Sequence, residues 1–417
     1  MRPLTTPRRA ALGLGALALS APALAQDDAA AQLLELNAKL DVLYAELDDL
    51  RTAQDAGTGD ADRLWVGGYG EVHANLADDG KKFADPHRFV IYLGYDFGGG
   101  ISLHSETELE HGFVKDGDGE VSLEQLYAEL ATGATSGVRL GRLLNPLGII
   151  NQRHEPSTFS GVERPNLEKY LIPSTWSQDG IGLFGTAGDE LTWELQLTSG
   201  LDGSGFDSKD GIRGGRMKER PGLGDPAISG RLDWRPELGP DAPALRLGGS
   251  FYSGGADNGD QGNDPGVDAR VDILALDFEA GHGPLDLRGV LVQSRVTGAE
   301  ELNAAFGNDV GEEQVGWYLQ ADLHLLDLFG DREPSADARF PEQDLVAFVR
   351  LEEYDTQDVL APGSTDDPTS DREETTIGIG WWPVPDFVLK VDFQDLDDAT
   401  GDRDDQWNLG VGWTLLP

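Results

Sequence analysis

Leu191-Thr192-Trp193-Glu194-Leu195-Gln196-Leu197-Thr198 decides the fold of this chain. Its odd positions are all apolar and its even positions all polar, which in an extended backbone puts oil on one face and water on the other. The same unit, about ten alternating residues and then a turn rich in Gly, Asp or Pro, recurs from Leu64 to Pro417. No stretch of this region is apolar enough to cross a bilayer as a helix. Strands that face lipid must satisfy every backbone group among themselves, so the pattern predicts an all-β fold, a transmembrane antiparallel β-barrel.

The turns divide residues 63–417 into about sixteen candidate strands, among them 87–97, 101–111, 120–132, 137–144 and 180–187. Alternation weakens in 120–132 and 137–144, which leaves fourteen or eighteen strands open. Connections alternate between tight ones, such as Gly98-Gly99-Gly100, Ala187-Gly188-Asp189 and Pro385-Asp386, and long ones. That is the rhythm of short periplasmic turns and long external loops, broken by a long connection over 327–344.

Three shorter parts precede the barrel. Arg2, Arg8 and Arg9 lead into an apolar run from Ala10 to Ala21, and Ala23-Leu24-Ala25 has the small-x-small form of a cleavage site. Residues 1–25 therefore read as a signal peptide. Leu33, Leu36, Leu40, Leu43, Leu47 and Leu50 keep a three-four spacing, so residues 26–51 read as a short periplasmic coiled-coil helix. A helix of this length is marginal alone. It predicts an oligomeric barrel, a homotrimer, that holds several copies close. Residues 52–62 form the linker.

The formal charge of −43 makes nucleic acid an implausible partner. Zero cysteines exclude disulfides and thiolate metal sites. A hydrophobic content of 39% suits a barrel, which needs apolar residues only on its outer face. Acidic residues gather in loops such as 254–268 and 366–374, read as a solvated exterior with cation bridging or calcium binding as alternatives. Asp116-Gly117-Asp118-Gly119-Glu120 lacks the full spacing of a calcium loop and reads as a hairpin turn. His104, Glu106, Glu108, Glu110 and His111 invite a metal reading, but alternate residues of a strand lie about 7 Å apart, too far for one coordination shell. No metal, cofactor or catalytic residue is expected. Ser157 and His154 are near in sequence without any recognisable nucleophile signature.

His87-Arg88-Phe89-Val90-Ile91-Tyr92-Leu93-Gly94-Tyr95, Leu103-His104-Ser105-Glu106-Thr107-Glu108-Leu109-Glu110-His111 and Asn145-Pro146-Leu147-Gly148-Ile149-Ile150-Asn151 carry a family resemblance. So do Gly161-Val162-Glu163-Arg164-Pro165 and Gly211-Ile212-Arg213-Gly214-Gly215-Arg216. Together they resemble bacterial outer-membrane porins of the phosphate-selective porin O and P type. The resemblance implies a trimeric, sixteen-stranded channel in the outer membrane of a Gram-negative bacterium, in contact with its lipid and lipopolysaccharide. It also implies a third long loop folded into the lumen, here from Asn145 to Asp179. Arg153, His154, Glu155, Arg164, Lys169 and Tyr170 are then the expected constriction residues.

The phosphate channels of that family use a run of lumen arginines and a lysine-rich vestibule, and this chain is lysine-poor. By alternation Arg88, Arg139, Arg231, Arg246, Arg288, Arg350 and Lys390 face inward, accompanied by Glu71, Glu108, Glu194, Asp233, Asp286, Asp322 and Asp392. A mixed electrostatic lining follows. The expected function is passive diffusion of small hydrophilic solutes and ions, with anions or phosphate as one option for the permeant. The alternative is a non-conducting structural barrel that tethers the envelope through its coiled coil.

Overall fold

Sixteen strands close into a single antiparallel barrel in the computed structural model. They are β1 (Leu64–Ala77), β2 (Lys82–Gly98), β3 (Ile101–Glu110), β4 (Glu120–Ala131), β5 (Gly137–Leu144), β6 (Ser177–Ala187), β7 (Leu191–Thr198) and β8 (Ala227–Trp234). The second half is β9 (Ala244–Gly255), β10 (Arg270–His282), β11 (Leu285–Thr297), β12 (Glu313–His324), β13 (Asp344–Val359), β14 (Asp371–Val384), β15 (Phe387–Asp398) and β16 (Gln406–Leu415). The structure describes residues 63–112, 119–216, 220–239, 242–256, 267–329, 339–401 and 403–415. The expected signal peptide, coiled-coil helix and linker, and Asp116 to Asp118 of the acidic turn, lie outside the described residues.

Each strand pairs with its neighbours in sequence, and β1 closes on β16 with Gly68 opposite Leu415. The sixteen expected strands are the ones observed. β2 starts at Lys82 instead of His87 and β6 at Ser177 instead of Gly180, so the third long connection spans 145–176. The faces follow the alternation. In β12, Trp317 and Leu319 are exposed while Tyr318, Gln320 and Asp322 are buried. Leu351, Ile377, Leu389 and Leu409 extend the same apolar belt around the outside. A patch this continuous is untenable in water, and it marks the lipid-facing surface. Trp193, Trp234, Trp381 and Trp413 sit near the rim of tight turns, with Trp317 and Trp407 toward the other, which forms two aromatic girdles.

Five of the ladders carry a register shift, and two of these bear on the lumen. Between Glu71 and His73 of β1 the register to β2 slips so that Pro86 and His87 oppose Val72. Between Glu106 and Thr107 of β3 it slips again, leaving Glu124 of β4 as the extra residue. A bulge lets two consecutive side chains point the same way. Glu124 and Gln125 both turn from the lipid face while Leu123 and Leu126 stay exposed, and this is why the alternation of 120–132 reads weakly.

The apolar core lies inside the barrel. Leu147, Ile149, Ile150, Leu167, Leu171, Ile172 and Trp176 of the third long connection pack with Val271, Ile273 and Ala275 of β10 and Val290 and Val292 of β11. The connection carries a short helix, α1 (Asn166–Tyr170), and a second helix, α2 (Ala299–Phe306), lies between β11 and β12. Gly316 of β12 seats α1, because a Cβ at that position would collide with the Leu167 and Tyr354 side chains.

Candidate functional site in the barrel lumen

The third long connection is bonded across the lumen from base to tip. Its base is closed by Asn145 N donating to Trp176 O at 3.0 Å. Asn151 reinforces it, with Nδ2 donating to Asn145 O at 2.7 Å and Oδ1 accepting from Trp176 N at 2.7 Å. Glu168 holds the middle. Its Oε2 accepts from Ile149 N and Ile150 N at 2.9 and 2.7 Å, and its Oε1 from the Tyr318 hydroxyl at 2.9 Å. Burial pushes the Glu168 carboxyl up to about 7, against the pull of these donors. At the far side, Val162 N donates to Asp392 Oδ2 at 2.5 Å, Leu167 N to Glu352 Oε2 at 2.9 Å and Asn166 Nδ2 to Glu374 Oε2 at 2.7 Å.

The wall cations are matched by carboxylates. Arg88 bonds Glu71 and lies 3.9 Å from Glu108, while Arg139 meets Glu129 at 2.9 Å. Arg231 meets Asp277 at 2.8 Å, Arg246 meets Glu279 at 2.6 Å and Arg350 meets Glu352 at 2.7 Å. Arg288 stands 3.6 Å from Asp322. Several also serve the loop: Arg88 Nη2 donates to His154 O at 2.9 Å, Arg231 Nη1 to Gly148 O at 2.7 Å and Lys390 Nζ to Gly161 O at 2.7 Å. The mixed lining expected from the sequence is therefore a set of local pairs, many of them employed in holding backbone.

The six expected constriction residues do not form one ring. Lys169 and Tyr170 line a cleft of about 890 Å³ with His87, His111, Glu163 and Arg403. Arg164 lines another of about 290 Å³, against β3, β4 and β5. Arg153 is half-exposed and bonds Glu279 at 2.9 Å, and Glu155 accepts from the Tyr92 hydroxyl at 3.1 Å. His154 is wedged into the wall, 2% exposed, with its ring edge-on to Tyr69. Its Nε2 stands 3.5 Å from Glu106 and 3.4 Å from Glu124, near enough for charge attraction and longer than a good hydrogen bond. Burial works against a charged ring there, and the two carboxylates outweigh it, raising His154 to about 10. Ser157 pairs its hydroxyl with that of Thr414 at 2.7 Å.

Arg213 and Arg216, of the Gly211–Arg216 motif and not among the expected constriction residues, join Arg164 at the smaller cleft. They come from the connection between β7 and β8, which also folds inward. Arg213 Nη1 donates to the carbonyls of Lys169 and Ser174, both at 2.6 Å, and Arg216 Nη1 to that of Thr175 at 2.6 Å. Arg164 Nη1 has no hydrogen-bond partner among the described residues. Burial, then the neighbouring Arg216, brings Arg213 down to about 9. Glu108, Glu110, Glu120 and Glu124 line the same cleft, so it has a cationic and an anionic side.

No family model matches the chain. Over 364 residues it is 28% identical to an uncharacterized protein of Aquifex aeolicus (strain VF5), covering 84% of this chain and 79% of that one. Among solved structures it is similar to OmpF of Salmonella typhi in complex with daunomycin, with a TM-score of 0.54, 12% identity and coverage of 84% and 97% of the two chains. An anion-selective porin from Comamonas acidovorans gives a TM-score of 0.51 at 13% identity, covering 84% and 99%. The trimer form of in-vitro folded OmpT, an outer-membrane protein of Vibrio cholerae, gives 0.50 at 10% identity, covering 84% and 98%. At such identities the shared property is the fold. With its closed ladder and apolar belt, that fold puts the chain in the outer membrane of a Gram-negative bacterium.

Proposed function

We propose that this chain is an outer-membrane porin, a passive diffusion channel for small hydrophilic solutes and ions, with small anions including phosphate as the favoured permeants. The observation that carries the reading is the inward-folded connection over 145–176, which narrows a closed barrel and leaves polar clefts beside it. Arg164, Arg213 and Arg216 are the constriction cations. Arg213 and Arg216 bond loop carbonyls and Arg164 Nη1 has no hydrogen-bond partner among the described residues, so this cationic side of the cleft, facing Glu108, Glu110, Glu120 and Glu124, is where a mobile anion would be drawn. Arg153, His154, Glu155, Lys169 and Tyr170 shape the passage around them. No cofactor takes part, since diffusion is the whole mechanism.

The test is the reversal potential of the purified protein in planar bilayers under a salt gradient, followed by phosphate addition. Anion preference with phosphate block of chloride current is the expected result. Arg164→Ala should lower the anion-to-cation permeability ratio several-fold, and an unchanged ratio would remove Arg164 from the constriction. A second reading, a structural barrel that does not conduct, is favoured by one observation: Val271, Ile273, Ala275, Val290 and Val292 give the inner wall an apolar core where a wide channel has water. Zero conductance from a folded barrel would select it.

A further inference from the structure

We propose that Glu106, Glu124 and His154 bind one divalent first-row transition-metal ion, which staples the inward loop to the barrel wall. The three residues come from β3, β4 and the 145–176 connection, and reading one strand at a time does not bring them together. The β4 bulge does, by turning Glu124 inward beside Glu106. Bulges that re-aim a side chain are common beside functional sites.

The protonation of the His154 ring follows from its partners. Nδ1 lies 3.1 Å from Asn151 O, a carbonyl that only accepts, so Nδ1 carries the hydrogen. Nε2 is left to face Glu106 Oε1 at 3.5 Å and Glu124 Oε2 at 3.4 Å. A ring nitrogen whose partner donates to a backbone carbonyl is the usual arrangement of a metal-bound histidine. Glu106 is oriented in the same manner, its Oε2 accepting from Gln125 Nε2 at 2.5 Å.

The three remaining atoms, Glu106 Oε1, Glu124 Oε2 and His154 Nε2, are buried without a hydrogen-bond partner among the described residues, and all lie within 4.8 Å of one another. Ligands about 2.1 Å from a tetrahedral ion stand about 3.4 Å apart. The two ring-to-carboxylate separations match that edge. Charge points the same way: two carboxylates with a protonated ring leave a buried net charge of about −1, and a divalent ion over the neutral ring cancels it. One nitrogen and two oxygens suit Zn²⁺, Mn²⁺ or Fe²⁺ better than a soft ion. The cleft of about 290 Å³ that Glu124 helps to line supplies the entry path.

A second group, Asp85, His87 and His111, also gathers within 4.8 Å, but it is half-exposed and Asp85 already bonds His111 at 2.5 Å. It serves as the internal control. The full chain, folded in detergent and stripped with a chelator, is titrated with Zn²⁺ by calorimetry and with Co²⁺ by visible absorption. One ion per chain is expected, bound at least about tenfold more weakly in Glu124→Gln and in His154→Gln. His111→Asn, a residue type that tolerates the left-handed φ of 51° there, should bind as the wild type does. Absence of stoichiometric binding, or affinity lost in His111→Asn and kept in Glu124→Gln, overturns the proposal. Heat-modifiability on gels verifies that each variant is a closed barrel, with Glu106→Gln replacing any that fails. Because the readout is binding, it stands whether or not the barrel conducts.

Discussion

Glu168 has both carboxylate oxygens in use, two backbone N–H groups on one and a tyrosine hydroxyl on the other. Leaving a buried polar group unpaired costs about 1–3 kcal/mol, so Glu168→Ala, which strips the Ile149 and Ile150 N–H groups and the Tyr318 hydroxyl of their acceptor, should lower stability by a few kcal/mol and release the loop. The pH dependence has a definite sign. The folded value of about 7 lies above the unfolded carboxyl, so the contribution of this group is full below an unfolded value of about 4.3 and is lost as pH rises through 7. The thermal midpoint of the wild type should therefore fall between about pH 4 and pH 8 more steeply than that of Glu168→Gln. Equal slopes in the two proteins would remove Glu168 as the source. Nothing in the sequence marks this residue, because its role depends on Tyr318, 150 positions away. Lys390 is the opposite case: its inward direction is legible from alternation, but its partner, the Gly161 carbonyl, is not.

Among the elements, β7, β12 and β15 are legible residue by residue, since one face is apolar and a one-residue slip would put charges into lipid. β4 is harder to read because its bulge breaks the period, and the break turns out to be the informative feature. The course of the 145–176 connection is set by contacts with nearly every wall strand, which no local pattern encodes. Its inward fold was available only through a family resemblance. Gly316 makes the dependence testable. Gly316→Val places a branched side chain where Leu167 and Tyr354 already meet, and overpacking of this kind costs about 1–3 kcal/mol. The barrel ladder should survive while α1 is unseated, read as faster trypsin cleavage at Lys169 with unchanged strand content by circular dichroism. Unchanged cleavage would show that the loop is held without this seat.

At the scale of the molecule, alternation alone specified a closed sheet and its lipid face, because both follow from satisfying backbone groups in a bilayer. Assembly state is a prediction of a different kind, resting on the leucine seam of residues 33–50. Light scattering on the detergent-solubilised protein should return three chains per particle, and one chain per particle would leave the seam without its expected purpose. The pairing of Gly68 with Leu415 carries a further consequence, for the order of assembly. Until that contact forms, β1 and β16 are open edges, and lipid offers their N–H and C=O groups no substitute partner. An open sheet with fifteen of its sixteen ladders formed is therefore not a nearly finished barrel but one whose two edges are as exposed as those of a much shorter sheet. Closure and insertion have to coincide, and the slow step of folding is the meeting of the two strands that lie farthest apart along the chain.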